Sequence, residues 1–163
     1  MTKLKYLLIT FIIVPLAFGH GGIDHSKESK IVEKKEIRKS VLLEINSEYL
    51  STVKPIFKKS CFDCHSAQVN YPWYYELPVV KKIIDSDIIE AKKHLDFTQD
   101  FPFLSHESPI NDLKSIKNSV ISGGMPPLRY RIMHIGKKLK SSEVDSIIRW
   151  VDSSMRKLEN ESK

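Results

Sequence analysis

Cys61-Phe62-Asp63-Cys64-His65 holds both cysteines of a chain of 163 residues, and its reading decides what can fill the interior of the protein. Two thiols three positions apart, followed directly by an imidazole, form the C-x-x-C-H signature of c-type haem attachment. At the start of a helical turn such thiols reach the two vinyl groups on one porphyrin edge and form thioethers. The adjacent His65 then points its ring at the iron as proximal ligand. A haem held in this way itself becomes the core of a small domain. Three other readings compete. A redox dithiol needs a preceding strand and a helix N-terminus to lower its first thiol. A zinc site needs a fourth ligand beyond Cys61, Cys64 and His65, and adjacent Cys64 and His65 fit one tetrahedral ion poorly. A disulfide here would close a very short loop and stabilise little.

Working outward, the periodicity favours the haem reading, because apolar residues recur at helical spacing from about Ser47 onward and no run alternates with period two. The expected class is all-α. A short helix carries Leu50, Val53, Ile56 and Phe57 on one face, with Ser51 or Thr52 near its cap and Pro55 in its first turn. A second, from about Val79 to Leu95, turns Val80, Ile83, Ile84, Ile88 and Ala91 inward, and Asp85-Ser86-Asp87 is a candidate break. A third, from about Asn111 to Ile121, stops at Gly123-Gly124, where a left-handed cap costs glycine nothing. The last starts at Ser141 or Ser142, with Asp145 closing a capping box, and carries Val144, Ile147, Ile148, Val151 and Met155 in one stripe.

Met125 follows the two glycines and precedes Pro126 and Pro127, so it sits on a stiff extended loop just past a helix end. A rigid loop can hold a thioether against the iron, which makes Met125 the expected distal ligand. His94 is the runner-up and His134 follows it. Arg129 and Arg131, beside the loop, are candidates to pair with haem propionates.

With 41% hydrophobic and 28% charged residues, six Gly and eight Pro, the chain has the composition of one globular domain. Its formal net charge of +6 is only mildly basic. Residues 1–19 have the layout of a signal peptide, with Lys3 and Lys5 ahead of a short apolar run and Ala17-Phe18-Gly19 as small-residue cleavage site. The expected location is therefore exported, periplasmic or membrane-tethered facing the periplasm. Membrane association would come only through an uncleaved N-terminal segment. Residues 20–45, rich in mixed charge, read as a tether, and residues 46–163 as the haem-binding domain.

Four motifs in order carry a family resemblance: Cys61-Phe62-Asp63-Cys64-His65-Ser66, Tyr71-Pro72-Trp73-Tyr74, His94-Leu95-Asp96-Phe97 and Met125-Pro126-Pro127. The chain resembles the small exported haem-binding domains of cytochrome c-like type from about Val53 to about Val151. The resemblance implies a monohaem helical domain with one haem c, thioether links at Cys61 and Cys64, His65 as proximal ligand and Met125 as distal one. It also matches Tyr130 and His134 after the Met-Pro-Pro loop, and Trp150 on the last helix. Tyr71 and Trp73 are expected to shield the proximal side of the macrocycle. The stretch Gln99 to His106, with two aromatics and two prolines, has no place in the pattern.

A haem with both axial positions filled and no substrate pocket is a one-electron carrier rather than an enzyme. Lysines from Lys58 and Lys59 through Lys81, Lys82, Lys92 and Lys93 to Lys137, Lys138 and Lys140 would steer it to an acidic redox partner. An exported haem domain has no reason to meet nucleic acid. The alternative function is a haem-based sensor or ligand-binding module whose distal ligand is displaceable. A peroxidase-like role is a third reading, although no paired acid and base stand beside the motif.

Overall fold

A computed structural model of the chain describes residues 37–161. The signal segment and most of the expected tether lie outside the described residues. Helix α1, Lys39–Glu48, passes through a π-helical turn at Tyr49–Val53 into α2, Lys54–Ser60. The turn has a local cause. The Ser51 and Thr52 hydroxyls donate back to the carbonyls of Ser47 and Glu48, at 3.1 and 2.6 Å, and compete with the helical ladder. Pro55 has no N–H to give and falls in the first turn of α2, as its fixed φ requires. Ile45, Tyr49, Val53 and Phe57, four apart, form a fully buried stripe down this rod.

Two expectations change here. The tether does not reach residue 45: α1 begins at Lys39, because Val41, Leu42 and Ile45 pack on the core and Glu44 pairs with Lys157 near the C-terminus of the chain. Ser51 and Thr52 stand in mid-rod, not at a cap, and Leu50 faces solvent.

Helix α3, Phe62–His65, is a single turn; a 3₁₀ turn at Trp73–Glu76 leads into α4, Pro78–His94. Asp85-Ser86-Asp87 does not break α4, since Asp85 accepts the Tyr75 hydroxyl at 2.7 Å and Asp87 accepts Arg129 at 2.5 Å, each from within a continuous helix. No residue of α4 is fully buried, and Ile83, expected inward, is 49% exposed.

Helix α5, Pro109–Ile121, is capped by the Ser108 hydroxyl accepting from the Asn111 N–H at 3.4 Å. It ends as expected, with Gly123 in the left-handed region at φ 67°. A short α6, Leu128–Met133, precedes α7, Ser141–Glu161, which packs along α5. In place of the expected box from Ser142 to Asp145, the Glu143 carboxylate accepts the Lys140 N–H at 2.8 Å, one half of such a motif, and pairs with the Lys59 ammonium at 2.5 Å.

The unplaced stretch turns out to be core. Asp96 and Leu104 exchange backbone hydrogen bonds of 2.8 and 3.1 Å, the sole β-bridge among the described residues, and the loop they close delivers Phe97, Phe101 and Phe103 inward. Phe103 meets Tyr49, Phe97 and Phe101 edge to face at 5.1, 4.8 and 5.5 Å. Trp150 closes the cluster and donates its indole N–H to the Ile45 carbonyl at 3.3 Å, which ties α7 to α1. The described residues thus make an all-α domain, as expected.

Candidate functional site

The attachment motif sits where α2 breaks. The Cys61 carbonyl accepts the N–H groups of Cys64 and His65 at 3.2 and 3.0 Å, which sets the single turn that carries both cysteines and His65. Phe62, between them, is buried in the aromatic core and anchors the turn. The Ser66 hydroxyl closes it by donating to the Phe62 carbonyl at 2.9 Å.

His65 is clamped at two points by residues 95–97. Its carbonyl accepts the Phe97 N–H at 2.6 Å, and its ring Nδ1 lies 2.8 Å from the Leu95 carbonyl. A carbonyl only accepts, so Nδ1 carries the proton and the Nε2 lone pair is left available. Burial pushes the His65 pKa down, against the opposing pull of that carbonyl, so the ring is neutral at neutral pH. The ring nearest His65 is Phe97, at 5.4 Å between centroids.

Both cysteines are free thiols. Burial pushes Cys61 up to about 12 and also raises Cys64, with the Asp63 charge adding to it. A disulfide-exchange motif needs the opposite shift. Among the described residues, no three His, Cys, Asp or Glu side chains converge as a metal cage, so the zinc reading finds no assembled ligand set among them.

Helix α6 is fastened against this motif by polar contacts. The Tyr130 hydroxyl donates to Asp63 Oδ2 at 2.6 Å and Lys137 Nζ reaches the same oxygen at 3.2 Å. Arg129 bonds Asp87 of α4, and the Tyr74 hydroxyl donates to His134 Nε2 at 3.2 Å. Met125 and Pro126 stand just ahead of α6. The Met125 N–H donates to the Ser119 carbonyl at 3.3 Å, Pro126 is buried, and the Met125 side chain is 42% exposed.

The remaining expected residues are differently placed. His134 has both ring nitrogens engaged, Nδ1 with the Tyr130 carbonyl and Nε2 with Tyr74. His94 adjoins Leu95, whose carbonyl holds the Nδ1 side of His65, and its own Nε2 bonds Glu90 at 3.1 Å. Tyr71 lies tilted against Tyr75 at 4.1 Å between centroids, Trp73 is 85% exposed and touches Tyr74, and the ring beside His65 is that of Phe97. Much of the lysine collar is paired internally: Lys59 with Glu143, Lys92 with Asp96, Lys137 with Asp63 and Lys93 with Glu90. Arg129 is taken by Asp87, whereas Arg131 buries its Nε without a partner.

Asp63, Leu95 and Phe97 were not singled out by sequence reasoning. Asp63 occupies a variable position of the C-x-x-C-H signature, and the other two lie in the His-Leu-x-Phe motif without an evident role. The donor set fits a haem: two protonated free thiols, a neutral imidazole with Nε2 free, a thioether on a stiff loop, and an orphaned guanidinium N–H suited to a carboxylate.

A family model described as a haem-binding domain matches residues 24–153. The chain is also similar to the cytochrome c peroxidase Ccp of Escherichia coli (strain K12), at 26% identity over 135 residues. Those residues make up 82% of this chain and 28% of the length of that relative. No solved structure matches the chain.

Proposed function

The chain belongs to the haem-binding domain family, and on that premise we propose that it is an exported one-electron transfer protein carrying a single, covalently attached haem. The observation that carries this reading is the two-point clamp on His65, which fixes the imidazole in the tautomer with its proton on Nδ1, on the turn that also bears two free cysteines. When bound, the haem supplies a one-electron iron couple. Cys61 and Cys64 would form the thioethers and His65 would bind one face of the iron. Met125 would bind the other, and its thioether would favour the reduced ion. Histidine competition is weak: His134 is engaged at both nitrogens, and His94 adjoins the carbonyl behind His65. Arg131 would take a propionate. The lysines without an ion pair among the described residues, such as Lys82, Lys138 and Lys140, would face an acidic redox partner.

A second reading is favoured by the likeness to a protein named cytochrome c peroxidase. In it the domain serves peroxide chemistry, or senses a small ligand, and the half-exposed Met125 is displaceable. One experiment separates the two. The chain is matured with haem-attachment machinery, and spectra are taken oxidised, reduced, and reduced under carbon monoxide. The carrier is expected to show sharp c-type bands, a weak far-red methionine-to-iron band and no shift with carbon monoxide. High-spin bands or rapid carbon monoxide binding would establish an open site. A Cys61→Ala, Cys64→Ala chain that still carries haem through denaturation would overturn covalent attachment.

A further inference from the structure

We propose that Asp63 is the positioning residue for the second face of the site, latching α6 and the Met125-Pro126-Pro127 loop onto the attachment motif through Tyr130 and Lys137; this rests on the haem reading above. Asp63 is buried between the two cysteines, and a buried carboxylate is costly unless its oxygens are satisfied. Its partners come from two directions. Oδ1 accepts from Asn70, at 3.1 Å from the side chain and 3.4 Å from the backbone N–H, and this holds the chain just after the motif. Oδ2 accepts from Tyr130 and Lys137, at the middle and beyond the end of α6.

Both carboxylate oxygens of Asp63 are thereby satisfied, Oδ1 by Asn70 and Oδ2 by Tyr130 and Lys137, which offsets the cost of burying the group. Tyr130, raised by burial and by Asp63, stays protonated and able to donate.

The other holds on helix α6 are weaker: the bond from the Tyr74 hydroxyl to His134, at the end of the helix, is one between uncharged groups and is longer, at 3.2 Å. None of its residues is buried, and its apolar side chains Leu128, Ile132 and Met133 all face outward. The Arg129–Asp87 pair is exposed on the arginine side, and exposed pairs contribute little. Position is therefore decided by the hydrogen bonds on Asp63. Pro126 and Pro127 stiffen the step from Met125 to the first turn of α6, so a displaced α6 displaces Met125. The same aspartate that lies within the attachment signature thereby sets where the opposite ligand loop stands.

The test uses the full chain with Tyr130→Phe, which deletes one hydroxyl and keeps the ring, and Asp63→Asn. In the haem-loaded protein, both variants are expected to keep covalent haem. They are also expected to lose most of the far-red methionine band and to bind carbon monoxide in the reduced state at least tenfold faster. Lys114→Gln, on the exposed face of α5, is expected to change neither readout. In the chain without haem, amide hydrogen exchange over residues 125–133 is expected to accelerate in Tyr130→Phe while exchange in α5 and α7 stays as it was. Unchanged exchange in that segment overturns the latch whether or not haem is attached. A wild-type chain without covalent haem or without the methionine band, but with accelerated exchange in Tyr130→Phe, overturns the haem reading and leaves the latch standing.

Discussion

Two sides of this domain are built by different means. Where α1, α2, α5, α7 and the loop from Asp96 to Leu104 meet, the core is dominated by aromatic rings, many of them packed edge to face, with Tyr49, Phe57 and Ile147 essentially without exposure. Where α4, the Met125 loop and α6 meet the attachment motif, no residue of either helix is buried, and the contacts that hold the parts together are hydrogen bonds and ion pairs. The first side is an ordinary hydrophobic interior, closed by its own side chains. The second spaces polar fastenings around donor groups. The contrast teaches that His65 is held from the aromatic side, its ring by the Leu95 carbonyl and its backbone by the Phe97 N–H.

Substitutions that strike the two sides unequally sharpen this comparison. The largest effect is expected for Phe103→Ala, which removes a ring in contact with Tyr49, Phe57, Phe97, Phe101 and Trp150. A loss of about 3–5 kcal/mol in denaturant unfolding is expected, with or without haem. A loss under about 1 kcal/mol would mean that the aromatic side is loosely packed, and the comparison would break.

A smaller effect is expected at Glu143, which ties the start of α7 to Lys59 on α2. Burial alone would raise its carboxyl, but the Lys140 N–H and the Lys59 ammonium outweigh this and hold it below the ordinary value. A depressed pKa stabilises the fold above the unfolded value of 4.5, and the contribution is lost as pH falls through the folded value. Glu143→Gln is thus expected to cost about 1 kcal/mol at neutral pH and nothing at pH well below that range, as read by thermal melts across pH. A pH-independent cost would assign the effect to packing.

The smallest effect is expected on the open side. Ile83→Ala should change the stability of the haem-free chain by less than about 0.5 kcal/mol, since the side chain is half exposed and alanine is the better helix former. The haem-loaded chain is the sharper instrument: a cost that appears there alone would place Ile83 against the macrocycle.

Several elements were legible from residues alone. The all-α class, the stop at Gly123 and the stripe of α7 follow from period, glycine and capping chemistry, which act within a few residues. The start of α1 was misjudged because Lys39, Glu44 and Glu48 give that segment the composition of a solvated tether, and its apolar face shows only when α7 is there to cover it. Asp85-Ser86-Asp87 looked like a break because its acids favour caps and turns; Tyr75 and Arg129, brought in from elsewhere, satisfy those carboxylates inside the helix. Tyr71 and Trp73 are expected from their motif to shield the proximal side of the macrocycle, but the ring that the fold sets beside His65 is Phe97, more than thirty positions along the chain, which no local pattern announces.

The sequence by itself determined the chemistry available to this protein: two thiols and an imidazole at a spacing that one helical turn can present, and a thioether on a loop stiffened by prolines. Those are local facts, set by covalent order and by the dihedral limits of glycine and proline. Tertiary structure alone decided which nitrogen of His65 carries the proton, which ring stands beside it, and that Asp63 rather than a cationic side chain holds the opposing loop. Each depends on the meeting of segments distant in the chain, Leu95 with His65 and Tyr130 with Asp63, and a hydrogen bond of under three ångströms has no counterpart in any pattern along the sequence.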